Sequence, residues 1–156
     1  MEKLKQIIDL NIQKHGRSKE AVIPILQSIV NEKNFISENE IVSIASNLDL
    51  STAYVYGTAS FYSFLDLKER GKYVIRICKT ISCYMKGKNE ILEAIEETLG
   101  IKVGETTHDK KFSLLETNCI GWCHEAPAML INEIPYTKLT PQKVTEVLTE
   151  LIQQDN

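Results

Sequence analysis

Four cysteines, Cys78, Cys83, Cys119 and Cys123, are the residues of this sequence best suited to chemistry. They form two pairs, C-x4-C and C-x3-C, with 35 residues between the pairs. Two loops that each present two thiolates can supply four sulfurs to one centre. Four thiolates are the usual ligand set of a 2Fe–2S cluster, and a structural zinc ion is satisfied by the same set. Tight zinc turns favour C-x2-C, so the wider spacings lean toward the cluster while leaving zinc open. A thiol–disulfide enzyme calls for C-x-x-C at a helix N-terminus, and no such pair occurs. Two structural disulfides are a third reading, disfavoured in a reducing compartment. A Rieske centre would exchange two cysteines for histidines. The histidines are His15, His108 and His124, and only His124, next to Cys123, adjoins a cysteine. Neighbours in a loop tend to point apart, so His124 is expected to flank the site and face solvent.

The elements that must position these thiols follow from the hydrophobic pattern. Tyr73 to Cys78 alternates as a strand, with Arg76 opposite Ile75 and Ile77. Residues 112–116 read as a second strand, 128–131 as a third, and Asn132-Glu133 as a tight turn before Ile134. Each cysteine pair therefore falls at a strand end, where a rigid scaffold can hold side chains at fixed separation. Gly87, Gly121 and the small Ser82 would let backbone come close to a bound cluster. Between the first two strands, Ile91, Leu92, Ile95 and Leu99 mark a helix stopped by Gly100. A last helix starts at Thr140 with Pro141 at its first position, and buries Val144, Val147, Leu148 and Leu151. The order β-α-β-β-α points to a thioredoxin-type α/β layer.

Before residue 70 every periodic segment is helical. Residues 2–14 carry Leu4, Ile7, Ile8 and Ile12 on one face. Ser18 is expected to cap a second helix with Val22, Ile25, Leu26, Ile29 and Val30, whose early Pro24 needs the first turn to absorb it. Ser37 and Glu40 spell a capping box, and Ile36 and Ile41 a hydrophobic staple. Ser51 begins a fourth helix with Val55, Ala59 and Tyr62. The aromatic run Tyr54, Tyr56, Phe61, Tyr62 and Phe64 is read as part core and part docking surface, with Phe61 and Phe64 buried. The fold class is thus α+β: a helical bundle at 1–70, then an α/β domain at 71–156, joined at the charged turn KERGK (68–72).

Composition bounds the function. The net charge is −3, and residues 1–70 carry 8 basic and 9 acidic side chains. Neither half has the basic footprint that phosphate backbones demand, which argues against a zinc-stabilised DNA reader. Asp9 interrupts the apolar stretch near the N-terminus, no cleavage signal follows, and no run approaches a transmembrane span. The chain is read as cytoplasmic. Lys72, Lys79, Lys86 and Lys88 surround the first cysteine loop and are expected as a solvated rim able to steer docking or raise a cluster's potential.

The stretches GKYVIRICKTISCYMKG (71–87) and FSLLETNCIGWCHEAPAMLI (112–131) resemble the thioredoxin-like 2Fe–2S subunit family. So does AYVYGTASFYSFL (53–65). That family includes the small peripheral-arm subunit of NADH:quinone oxidoreductase and its equivalents in NAD(P)-dependent and electron-bifurcating hydrogenases and formate dehydrogenases. The resemblance implies one 2Fe–2S cluster on Cys78, Cys83, Cys119 and Cys123, within a thioredoxin-like domain. Glu116, Gly121, Ala126 and Pro127 match the motif around the second pair. Ile81 and Ser82 depart from the small pair usual before the second cysteine. A cis Ala126–Pro127 bond is expected by analogy with thioredoxin-like folds.

The sequence has no G-x-G-x-x-G and no P-loop, so hydride chemistry is not expected of it. A hydride donor delivers two electrons and a 2Fe–2S cluster takes one, so a flavin must stand between them on another chain. The resemblance implies an FMN- and NAD(P)H-binding flavoprotein partner, with further iron–sulfur subunits of a hetero-oligomeric complex. The expected function is one-electron transfer within such a complex, with no turnover by the isolated chain. The short chain leans toward a soluble electron-bifurcating hydrogenase, with respiratory NADH:quinone oxidoreductase, formate dehydrogenase or a free-standing ferredoxin as alternatives.

Overall fold

The computed structural model describes residues 2–154, which divide into two compact units, Met1–Arg70 and Gly71–Asn156. The first is all helix: α1 (Glu2–His15), α2 (Val22–Lys33), α3 (Glu38–Leu48) and α4 (Thr52–Phe61). Ile8, Ile25, Leu26, Ile29, Ile41 and Ile44 are among its buried core, at the helical spacing the sequence shows. The capping box forms. The Ser37 N–H and hydroxyl both donate to Glu40 Oε2 at 2.8 Å, and Ile36 and Ile41 are buried in one core. Ser51 caps α4 by accepting the Tyr54 N–H.

Two expectations here are corrected, and one, for Pro24, holds. Ser18 does not cap α2. A 3-10 turn, Lys19–Ala21, intervenes, and the Ser18 hydroxyl meets the Glu20 carboxylate instead. Pro24 lies in the first turn of α2, where a missing N–H costs nothing. Phe61 and Phe64 are not buried but 80% and 45% exposed. The reason is that α4 is apolar on every side while the core admits one face, and the small Val55 and Ala59 already fill it.

The second unit is built on a four-stranded sheet in the order β2-β1-β3-β4. Its strands are β1 (Tyr73–Cys78), β2 (Phe112–Thr117), β3 (Met129–Ile131) and β4 (Ile134–Tyr136). β1 and β2 are parallel, and β3 is antiparallel to both β1 and β4. Parallel strands need a crossover, and α6 (Lys88–Leu99) supplies it, between its glycine caps Gly87 and Gly100. It and α7 (Pro141–Gln154) share one core with the strands. Ile91, Ile95, Val144 and Leu148 bury Ile75, Ile77, Phe112, Leu114, Met129 and Ile131. Asn132 makes the β3–β4 turn at φ 55°, a left-handed conformation that asparagine tolerates. One helix escapes the sequence pattern: the five-residue α5 (Ile81–Met85), which lies inside the first cysteine loop. No helix among the described residues is long and apolar enough to cross a membrane.

Candidate metal centre

The C-terminal ends of two adjacent parallel strands carry both cysteine pairs. Cys78 is the last residue of β1, in register with Thr117 at the end of β2. From Cys78 the chain turns through Thr80 into α5, which presents Cys83 from its middle. From Thr117 the chain turns through Cys119 and Gly121 to a 3-10 turn, Cys123–Glu125. All four cysteines are free thiols.

Cys78 and Cys83 are buried, packed with Ala126 and Ile120, whereas Cys119 is exposed and Cys123 half-buried. The sulfurs lie in pairs. Cys119 Sγ and Cys123 Sγ are 3.2 Å apart, well beyond the ~2.05 Å of a disulfide bond. Cys78 and Cys83 hydrogen-bond to each other, and Cys83 also feels the field of Cys123. Among the described residues, no three His, Cys, Asp or Glu side chains gather as they would around a single ion. A two-iron centre takes two thiolates at each iron, and a tetrahedral zinc takes four at one ion.

Donors surround the sulfurs. The Thr80 hydroxyl lies 3.1 Å from Cys78 Sγ, and the Gly121 N–H points at Cys119 Sγ from 3.4 Å. The Ile120 backbone N–H serves Cys78, that of Ala128 serves Cys83, and the Ser82 hydroxyl serves Cys123. Burial pushes the Cys83 thiol up to about 11. Burial acts the same way on Cys78, but bonds from Thr80, Cys83 and Ile120 outweigh it and hold that thiol below its ordinary value. The Cys123 thiol is raised, first by its bond to Cys119 and then by burial. Donors aimed at sulfur are the outer shell that tunes an iron–sulfur site. The residues present therefore fit a thiolate-held cluster.

Gly121 has φ +89°, so its permissive backbone is what lets its N–H reach Cys119. Gly87 has a different role from the one expected. At φ +92° it forms the turn into α6, and a side chain there would meet Glu90 and not sulfur. The Ala126–Pro127 bond is cis, as expected. His124 faces solvent, stacked on Trp122 with ring centroids 5.7 Å apart. Lys88 is not part of a solvated rim. It is buried and paired with the Glu116 carboxylate. The helical spacing of Lys88 with Ile91 and Ile95 puts it on the buried face, a signal the charge pattern obscured.

A family model, the thioredoxin-like [2Fe–2S] ferredoxin, matches residues 8–152. The chain belongs to this family. An NADH-quinone oxidoreductase subunit from Aquifex aeolicus is 33% identical over 148 residues, covering 95% of this chain and 92% of that one. An NADH-quinone oxidoreductase subunit from Rickettsia felis is 36% identical over 137 residues, 87% and 81% of the two chains. One from Thermus thermophilus is 36% identical over 128 residues, 82% and 71%. Among solved structures, an NAD+-reducing [NiFe]-hydrogenase in its H2-reduced state superposes with a TM-score of 0.78 at 20% identity. That match covers 88% of this chain and 23% of the hydrogenase chain, and it speaks to the shared fold. As a member of the thioredoxin-like [2Fe–2S] ferredoxin family, the chain is a 2Fe–2S electron-transfer protein, related to subunits of NADH-quinone oxidoreductases.

Proposed function

We propose that this chain is the one-electron subunit of an NAD(P)-linked, flavin-dependent oxidoreductase complex, with a single 2Fe–2S cluster held by Cys78, Cys83, Cys119 and Cys123. The observation that carries the reading is the meeting of two thiol pairs, ringed by N–H and O–H donors, at the ends of β1 and β2. When bound, a cluster of this type takes and returns one electron at a time. The chain's own residues hold it and control its surroundings. Cys78 and Cys83 keep one side dry, and the exposed Cys119 leaves the other open to a partner. Ile81, Tyr84, Met85 and Trp122 stand exposed on the same loops. The partner in this reading is an FMN- and NAD(P)H-binding flavoprotein that splits a hydride into single electrons, and the location is the cytoplasm.

Anaerobic purification followed by iron, zinc and sulfide analysis tests this. The expected result is two irons and two acid-labile sulfides per chain. A colourless preparation holding one zinc would end the electron-transfer reading. The finer assignment, to an electron-bifurcating hydrogenase, requires that the native complex use hydrogen to reduce NAD(P) and a low-potential one-electron acceptor together, and neither alone. A complex that instead reduces quinone with NADH assigns the chain to the respiratory enzyme.

A further inference from the structure

One charged pair lies half in and half out of the second unit's interior, near the cysteine-bearing strand ends. Lys88 opens α6 and is 6% exposed, and its ammonium contacts the Glu116 carboxylate on β2. Glu116 is in register with Ile77, the residue before Cys78. Strand spacing and chain geometry put its backbone within about 7 Å of that of Cys78. Lys88 follows Gly87, directly after the helix that carries Cys83.

Packing does not account for this arrangement. Lysine is among the residues least often fully buried. At the first position of a helix it also faces the positive end of the helix dipole, where an acid or a hydroxyl would be favoured. A buried ion pair adds little to stability compared with apolar side chains of the same volume. What the pair does supply is two opposite charges, the ammonium buried and the carboxylate 28% exposed, close to the strand ends that carry the thiols.

We propose that Lys88 and Glu116 are positioning residues that set the reduction potential of the cluster, with Lys88 favouring the reduced form and Glu116 opposing it. The proposal rests on the cluster assignment above. Adding an electron makes the centre one unit more negative. The ammonium stabilises that state and the carboxylate destabilises it, each through space and without ligating iron. A partly screened charge about 10 Å away shifts a one-electron equilibrium several-fold.

The test is a spectroscopic redox titration of the iron-loaded full chain at pH 8, with thermal melting measured alongside. Lys88→Met is expected to lower the midpoint and Glu116→Gln to raise it. Each should change the reduced-to-oxidised ratio at the wild-type midpoint by threefold or more, about 30 mV at 59 mV per decade. The double variant should return toward the wild-type value. A purely structural pair would lower both melting temperatures and move neither midpoint. Unchanged midpoints, or shifts of the same sign, overturn the proposal. If Lys88→Met does not accumulate because a carboxylate is stranded, the sign of the Glu116→Gln shift decides alone. Wild-type protein without iron would instead overturn the cluster assignment itself.

Discussion

Cys119 is the exposed member of the four thiols, and the Gly121 N–H points at its sulfur. Losing one thiolate from a four-sulfur set leaves an iron short of a ligand. Cys119→Ala should therefore abolish the visible absorption and most of the bound iron. A full spectrum in that variant would remove Cys119 from the ligand set. Gly121→Ala separates ligation from geometry. The four sulfurs stay, but a side chain at φ +89° strains the loop by roughly 1–2 kcal/mol. The expected result is a chain that still binds iron but releases it faster to a chelator than wild type. Equal release rates would mean the loop relaxes without cost.

At the scale of elements, α3 shows how local chemistry fixes a boundary. Glu40 accepts the Ser37 N–H and pairs with Lys33 at 2.9 Å. Burial opposes ionisation of Glu40, but the bonds to Lys33 and Ser37 prevail and hold its pKa below the ordinary glutamate value. A group whose folded pKa is depressed adds stability above its unfolded pKa of about 4.3 and loses it as pH falls through the folded value. Glu40→Gln should therefore cost about 1 kcal/mol at pH 7, the usual worth of a cap. The gap to wild type should close as denaturation is repeated at progressively lower pH below 4. A gap that stays constant with pH would assign the effect to shape and not to charge. This cap was legible because Ser37 and Glu40 announce it three residues apart. The α6 and α7 faces were legible through periodicity, and the cysteine pairs through spacing. What was not legible has physical causes. The α5 helix is too short to show a period. The aromatic side chains of α4 look like core because hydrophobicity does not say which face a filled bundle will admit. Lys88 shares a helical face with Ile91 and Ile95, but the partner that lets a charge sit there, Glu116, is 28 residues further along the chain.

At the scale of the molecule, each unit has its own hydrophobic core. Ile8, Leu26 and Ile44 belong to one, and Ile75, Phe112 and Leu148 to the other. The four cysteines, the donors that surround them and the Lys88–Glu116 pair all fall within Gly71–Asn156. A segment with its own core is expected to fold alone, though one this small is only modestly stable. Residues 71–156 expressed alone should melt cooperatively, at a lower temperature than the full chain, and should take up iron with the same absorption spectrum. Residues 1–70 alone should give a helical circular dichroism signal and bind no iron. The exposed Tyr54, Tyr56, Phe61 and Tyr62 would then have no part in holding the cluster. A 71–156 fragment that lacks a cooperative transition would show that the α/β unit needs the bundle to fold. One that melts cooperatively but loses its iron would show that residues 71–156 do not suffice to hold the cluster.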